Sequence, residues 1–112
     1  MALVVGGSGT EVEPVDLRHL GEQTGGDAGL EREVLLLFVA DAPIQVAKLR
    51  LAAGVDRRAI AHRLLGAAKA IGANEVARCA ALIEAGGVDI DGLAAAVADV
   101  NRFVADRLSR AP

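Results

Sequence analysis

The feature that most limits how this chain can fold is its lack of large rings: two Phe, no Tyr and no Trp, although 53% of the residues are hydrophobic. A core must then be assembled from Ala, Leu, Val and Ile, whose small volumes fill space only when the elements carrying them approach closely. The abundant Ala, Leu, Arg and Glu favour helix over strand on intrinsic propensity. At 112 residues the chain has enough sequence for one such core and too little for two. A single all-α domain is the expectation.

Helix punctuation divides the chain. Residues 1–13, MALVVGGSGTEVE, read as a loose tail, because they carry neither a basic leader nor an apolar run of signal-peptide length. The helical domain spans residues 14–110. Pro14 suits the first turn of a short helix that GEQTGGD breaks after Leu20. Asp27 reads as the N-cap of a long second helix with an apolar stripe of Leu30, Val34, Leu37, Phe38 and Ile44, running to about Ala53. Pro43 should kink it or divide it into two abutting helices.

Asp56 is the expected cap of a third helix that ends at Ile71, where Gly72 stops it and Asn74 caps the next. That fourth helix, EVARCAALIEA, closes at Gly86 and Gly87. Asp89 starts the last, from Ile90 to about Leu108, with Leu93, Val97, Val100, Val104 and Leu108 on one stripe. Short connections between amphipathic helices imply antiparallel neighbours, hence an up-and-down bundle. Each apolar stripe looks fully used inside that bundle, so a monomer is expected.

Bulk properties exclude several functions. A net charge of −3 with no basic stripe argues against nucleic-acid binding. The longest apolar run, VLLLFVA, falls far short of the roughly 20 residues that cross a bilayer, so no membrane role is expected. One cysteine, Cys79, allows no internal disulfide and no Cys-based metal cage, and fits a reducing cytoplasm. It reads as a buried core residue. The two histidines lie far apart and form no Glu-x-x-His pair, which argues against a metal site. His19 carries no motif and reads as structural or solvated.

His62 differs. At about 100° per residue, Ile60, Leu64, Ala67 and Ile71 share the core-facing arc of the third helix, while Arg58, His62, Leu65, Gly66 and Lys69 fall on the opposite arc. A buried histidine satisfied by core partners is therefore disfavoured by the periodicity. A plain solvated histidine is not, but it leaves Gly66 unexplained. Glycine inside a helix costs about 1 kcal/mol relative to alanine, the residue this chain uses almost everywhere else. Clearing a side chain one turn from His62 gives a large partner access to the imidazole. A neutral imidazole is a nucleophile near pH 7, and phosphorus is a plausible electrophile for it. Neither a Ser or Cys for a triad nor an Asp to orient the ring lies close in sequence.

AHRLLGAAKAIGANEVARCAALIEAG, with His62, Leu64, Gly66, Gly72 and Ala73 in register, resembles the signature of histidine phosphotransfer (HPt) domains of bacterial phosphorelays. That signature is Ala-His-x-Leu-x-Gly followed by small residues, then Gly-Ala, then a helix with a Leu-Glu near its end. The preceding LLLFVADAPIQVAKLRLA is similar to the family's second helix, and the likeness runs from about Val15 to Leu108.

The resemblance implies a four-helix bundle with a short additional N-terminal helix. It implies that His62, through Nε2, relays a phosphoryl group between aspartates of response-regulator receiver domains fed by a hybrid histidine kinase. The receiver's Mg²⁺ then supplies most of the electrostatic stabilisation, and this chain holds no cofactor. Such a chain is a phosphocarrier without autonomous turnover or ATP binding.

The family usually has a lysine three residues after the histidine; here that position is Leu65. Lys69, on nearly the same meridian, and Arg63 are the cations available to support the phosphoryl group, while Arg58, Leu65 and Gly66 are the candidate docking residues. Leu65 also opens a second reading, a module that binds and sequesters receivers without transferring phosphate. A histidine-kinase dimerisation core fits less well, because no acidic residue directly follows His62. A purely structural bundle is the third rival.

Overall fold

The structure, a computed structural model, describes residues 13–110, so the expected tail lies outside the described residues apart from Glu13. Those residues form five helices and no strand: α1 (Leu17–Gln23), α2 (Ala28–Leu51), α3 (Gly54–Ile71), α4 (Asn74–Glu84) and α5 (Ile90–Ser109). The chain is all-α. α2 packs on α3 and α5, α4 packs on the same two helices, and α1 lies against α3. No helix among the described residues is long and apolar enough to cross a membrane.

Side-chain caps set several of the ends. Asp16 Oδ1 accepts the backbone N–H groups of Arg18 and His19, at 3.1 and 3.2 Å, and so starts α1 at Leu17, beyond Pro14. With that start the helix runs on past Leu20 to Gln23, and the turn is made by Gly25 and Gly26, both at positive φ. Asp27 and Asp89 cap α2 and α5 as expected, accepting from Leu30 and Gly92 at 3.0 and 2.9 Å.

Two expected caps fail. α3 begins at Gly54, whose φ of +57° reverses the chain before Asp56 is reached, and Asp56 becomes a first-turn residue facing the positive end of the helix dipole. Asn74 is likewise the first residue of α4 and not its cap, because Gly72 in the left-handed conformation already redirects the chain.

α2 is one helix of 24 residues that continues through Pro43, so the reading as two abutting helices is overturned. Its buried face also differs from the expected stripe. Leu35, Phe38, Ala42, Val46 and Leu49 enter the core, whereas Leu30, Leu37 and Ile44 are exposed. The helix is apolar nearly all round, and periodicity alone cannot decide which of its two stripes turns inward. Gln45, buried within the inward face, donates to Asp41 Oδ1 at 3.1 Å and so carries no unpaired amide hydrogen-bonding cost there.

The core is otherwise built of the expected residue types. Leu64 and Ile71 from α3 meet Val76, Ala80 and Ile83 from α4 and Leu93, Val97, Val100 and Val104 from α5, with Leu108 half-buried. Alanines at 42, 61, 68, 73, 80 and 96 are all buried and let the helix backbones approach closely.

Candidate functional site

The inward arc of α3 is Ala61, Leu64, Ala68 and Ile71, which turns the helix slightly from the expected arc and leaves Ile60 and Ala67 half-buried at its edge. His62 follows Ala61 immediately and points away from the core. Its side chain is 73% exposed. The ring is nevertheless held: Nδ1 lies 2.7 Å from Oε2 of Glu84, the last residue of α4, whose side chain is 34% exposed.

This contact fixes the chemistry of the ring. An ionised carboxylate only accepts hydrogen bonds, so Nδ1 must carry the proton and donate it to Glu84. In the neutral imidazole the lone pair then resides on Nε2, the nitrogen that Glu84 does not occupy. A ring oriented by a carboxylate, with its other nitrogen unprotonated, is the arrangement of an activated nucleophile. As Nε2 forms a bond to an electrophile, positive charge develops on the ring, and the Glu84 carboxylate lies against it.

Glu84 is the residue that sequence reasoning missed. It stands 22 positions from His62, so nothing local links the two. The available signal was the glutamate near the end of the fourth helix in the HPt-like stretch.

The other candidates separate around this pair. Gly66 is exposed, and a Cβ built there meets nothing within 4 Å, so internal packing does not require the glycine. Arg58 and Lys69 are exposed one turn before and two turns after His62, and neither makes an ion pair among the described residues. Arg63 is exposed on the other flank of α3, where it lines the grooves between α3 and α2 beside Asp41 and Lys48. It is thus turned from the α4 side on which Glu84 meets the imidazole. Leu65 is not on the open arc with His62: it is half-buried against the core, which corrects its expected position as a freely presented docking residue.

The remaining titratable groups have structural roles. His19 Nε2 donates to the carbonyl of Lys69 at 2.8 Å, tying α1 to the last turn of α3. Cys79 is buried; burial pushes its thiol pKa up and the neighbouring Glu75 carboxylate pushes it further, which keeps the sulfur protonated and unreactive. No cluster of three His, Cys, Asp or Glu side chains suited to a metal occurs among the described residues.

Comparison with protein-family models, curated proteins and solved structures finds no match to this chain.

Proposed function

We propose that this chain is a histidine phosphotransfer protein that relays a phosphoryl group between receiver-domain aspartates through His62. The observation that carries the reading is the exposed imidazole whose Nδ1 is fixed by Glu84, beside a glycine that packing does not explain. Helix pairings that run α2 to α3 to α4 to α5 and back to α2 support a four-helix bundle, up and down, with α1 as the lead-in helix.

In the forward step, the Nε2 lone pair attacks the phosphorus of an aspartyl phosphate. The P–N bond forms as the P–O bond to the aspartate breaks, and the aspartate leaves as a carboxylate. The ring becomes a phosphorylated imidazolium that keeps its Nδ1 proton on Glu84. The second transfer is the reverse, with a second receiver's carboxylate attacking and Nε2 leaving. Lys69 is the cation best placed to approach the phosphoryl oxygens, and Arg58 and Gly66 belong to the docking surface. The receiver brings the Mg²⁺, and the kinase that feeds it is a hybrid histidine kinase. A cytoplasmic location accompanies this reading.

A module that sequesters receivers without transfer is the second reading, favoured by Leu65 where HPt domains usually carry lysine. Its half-burial gives Leu65 a packing role that needs no such function. One assay separates the two. Incubation with a phosphorylated receiver should yield acid-labile, alkali-stable label on the wild type and none on His62→Gln. Binding without label would establish the sequestering module, and neither binding nor label would remove both readings.

A further inference from the structure

α2 carries a second apolar stripe that the fold does not use. Leu30, Leu37, Ile44 and Leu51 recur every seven residues on the arc opposite the core and are 40%, 64%, 54% and 92% exposed. Between the last three stand Ala40 and Ala47, also exposed. From Leu37 to Leu51 the surface therefore reads Leu-Ala-Ile-Ala-Leu at alternating spacings of three and four, the repeat of a coiled-coil seam. The expectation of a monomer assumed that every stripe was spent inside the bundle, and α2 does not meet it.

The composition of the seam selects its partner. Large and small residues alternate, so a second copy of the same seam is complementary when it runs antiparallel: Ile44 sits over Ala47 of the second copy, and Leu51 over its Ala40. A parallel pair would set alanine on alanine and leave gaps. Charge fixes the register. With these partners facing, Asp41 flanks Lys48 of the second copy, and the two-fold axis repeats the pair. Slipped by one heptad, the antiparallel pair instead sets Asp41 against Asp41.

Lys48 makes no ion pair among the described residues, and Asp41 uses one carboxylate oxygen on Gln45. Leu37 then reaches the α2–α3 corner of the second copy, where Val55 is 68% exposed.

We propose that the outward face of α2 is a homodimer interface, packed antiparallel along Leu37, Ala40, Ile44, Ala47 and Leu51. Self-complementarity under a two-fold, in both volume and charge, favours a second copy over an unrelated partner. His62 meets α4, whereas α2 packs mainly on α3 and α5, so both imidazoles stay outside the interface. The inference stands whether or not His62 carries phosphate.

Sedimentation equilibrium of the full chain tests it. A seam of about four turns is a small interface, so dimerisation is expected at roughly micromolar to hundreds of micromolar protein. Ile44→Glu should raise the dissociation constant at least about tenfold without loss of helical signal, because position 44 is outside the core. Asp41→Lys should weaken the dimer, and Asp41→Lys combined with Lys48→Asp should restore it.

Orientation is read by crosslinking in a Cys79→Ala background. Ala40→Cys and Leu51→Cys chains should form disulfides when mixed and not when either is alone, since like positions lie about 16 Å apart in this register. A monomer throughout the range, a dimer indifferent to Ile44→Glu, or crosslinks of each variant with itself would overturn the proposal.

Discussion

Glu84 reaches from the end of α4 to Nδ1 of His62 on α3 at 2.7 Å, and this one contact decides which ring nitrogen is left to react. Glu84→Ala should release the tautomer. Nitrogen-15 spectra of the neutral imidazole should show a dominant Nδ1–H form in the wild type and a shift toward Nε2–H in the variant, with phosphoryl transfer slowed on the order of tenfold or more. Glu84→Gln keeps an accepting oxygen without the charge, so it should recover the tautomer and only part of the rate. An unchanged nitrogen spectrum in Glu84→Ala would show that something else sets the ring.

Gly66 separates stability from docking. Its absent Cβ would meet nothing, so Gly66→Ala should raise unfolding free energy by about 1 kcal/mol, measured by thermal or denaturant unfolding. Gly66→Gln places bulk beside the imidazole. It should suppress labelling by a phosphorylated receiver while a small phosphoramidate donor still labels His62. Equal loss with both donors would mean that the added side chain disturbs the ring and not the approach of a partner.

What was legible in the sequence was local. Asp27 and Asp89 as caps, Gly72 as a stop and the Leu93, Val97, Val100 and Val104 stripe of α5 all depend on residues within a turn or two of one another, and the structure has each of them. The inward face of α2 was not legible, because Leu35 and Leu37 are chemically alike and only packing against α3 and α5 chooses between them. Asp56 and Asn74 failed as caps for a related reason: the left-handed glycines at 54 and 72 start the turns before a side-chain cap is needed. Glu84 required the tertiary meeting of α3 and α4, which no spacing encodes. Lys69, Arg63 and Leu65 were placed on α3 correctly as positions, yet which flank each occupies depended on how the helix rolled against the core.

Cys79 gives the fold a pH dependence. Burial raises its thiol pKa above the ordinary value near 9, so the folded state holds the proton more tightly than the unfolded chain. The associated stability is complete below that ordinary value and is lost as pH climbs through the raised one. Denaturant unfolding from about pH 8 to 11 should show a decline that Cys79→Ala flattens. In the same range a thiol reagent should modify the native protein far more slowly than the unfolded chain.

Gly72 joins α1 to the end of α3 under two separate constraints. Its φ is +76°, and a Cβ there would lie 2.9 Å from the carbonyl oxygen of Asp16 and 3.0 Å from the Asp16 Cβ. The same approach lets the Asp16 N–H donate to the Gly72 carbonyl at 2.8 Å, one turn from where His19 holds Lys69. Gly72→Ala should therefore destabilise the protein by about 1 to 3 kcal/mol in thermal unfolding, through left-handed strain and displacement of α1 together. Gly72→Asn distinguishes them, since asparagine tolerates the left-handed backbone but still carries the Cβ. If the close contact dominates, asparagine recovers little of the loss, and amide exchange in α1 accelerates in both variants. Near-complete recovery with asparagine would assign the cost to backbone strain alone and leave the seat of α1 on α3 intact.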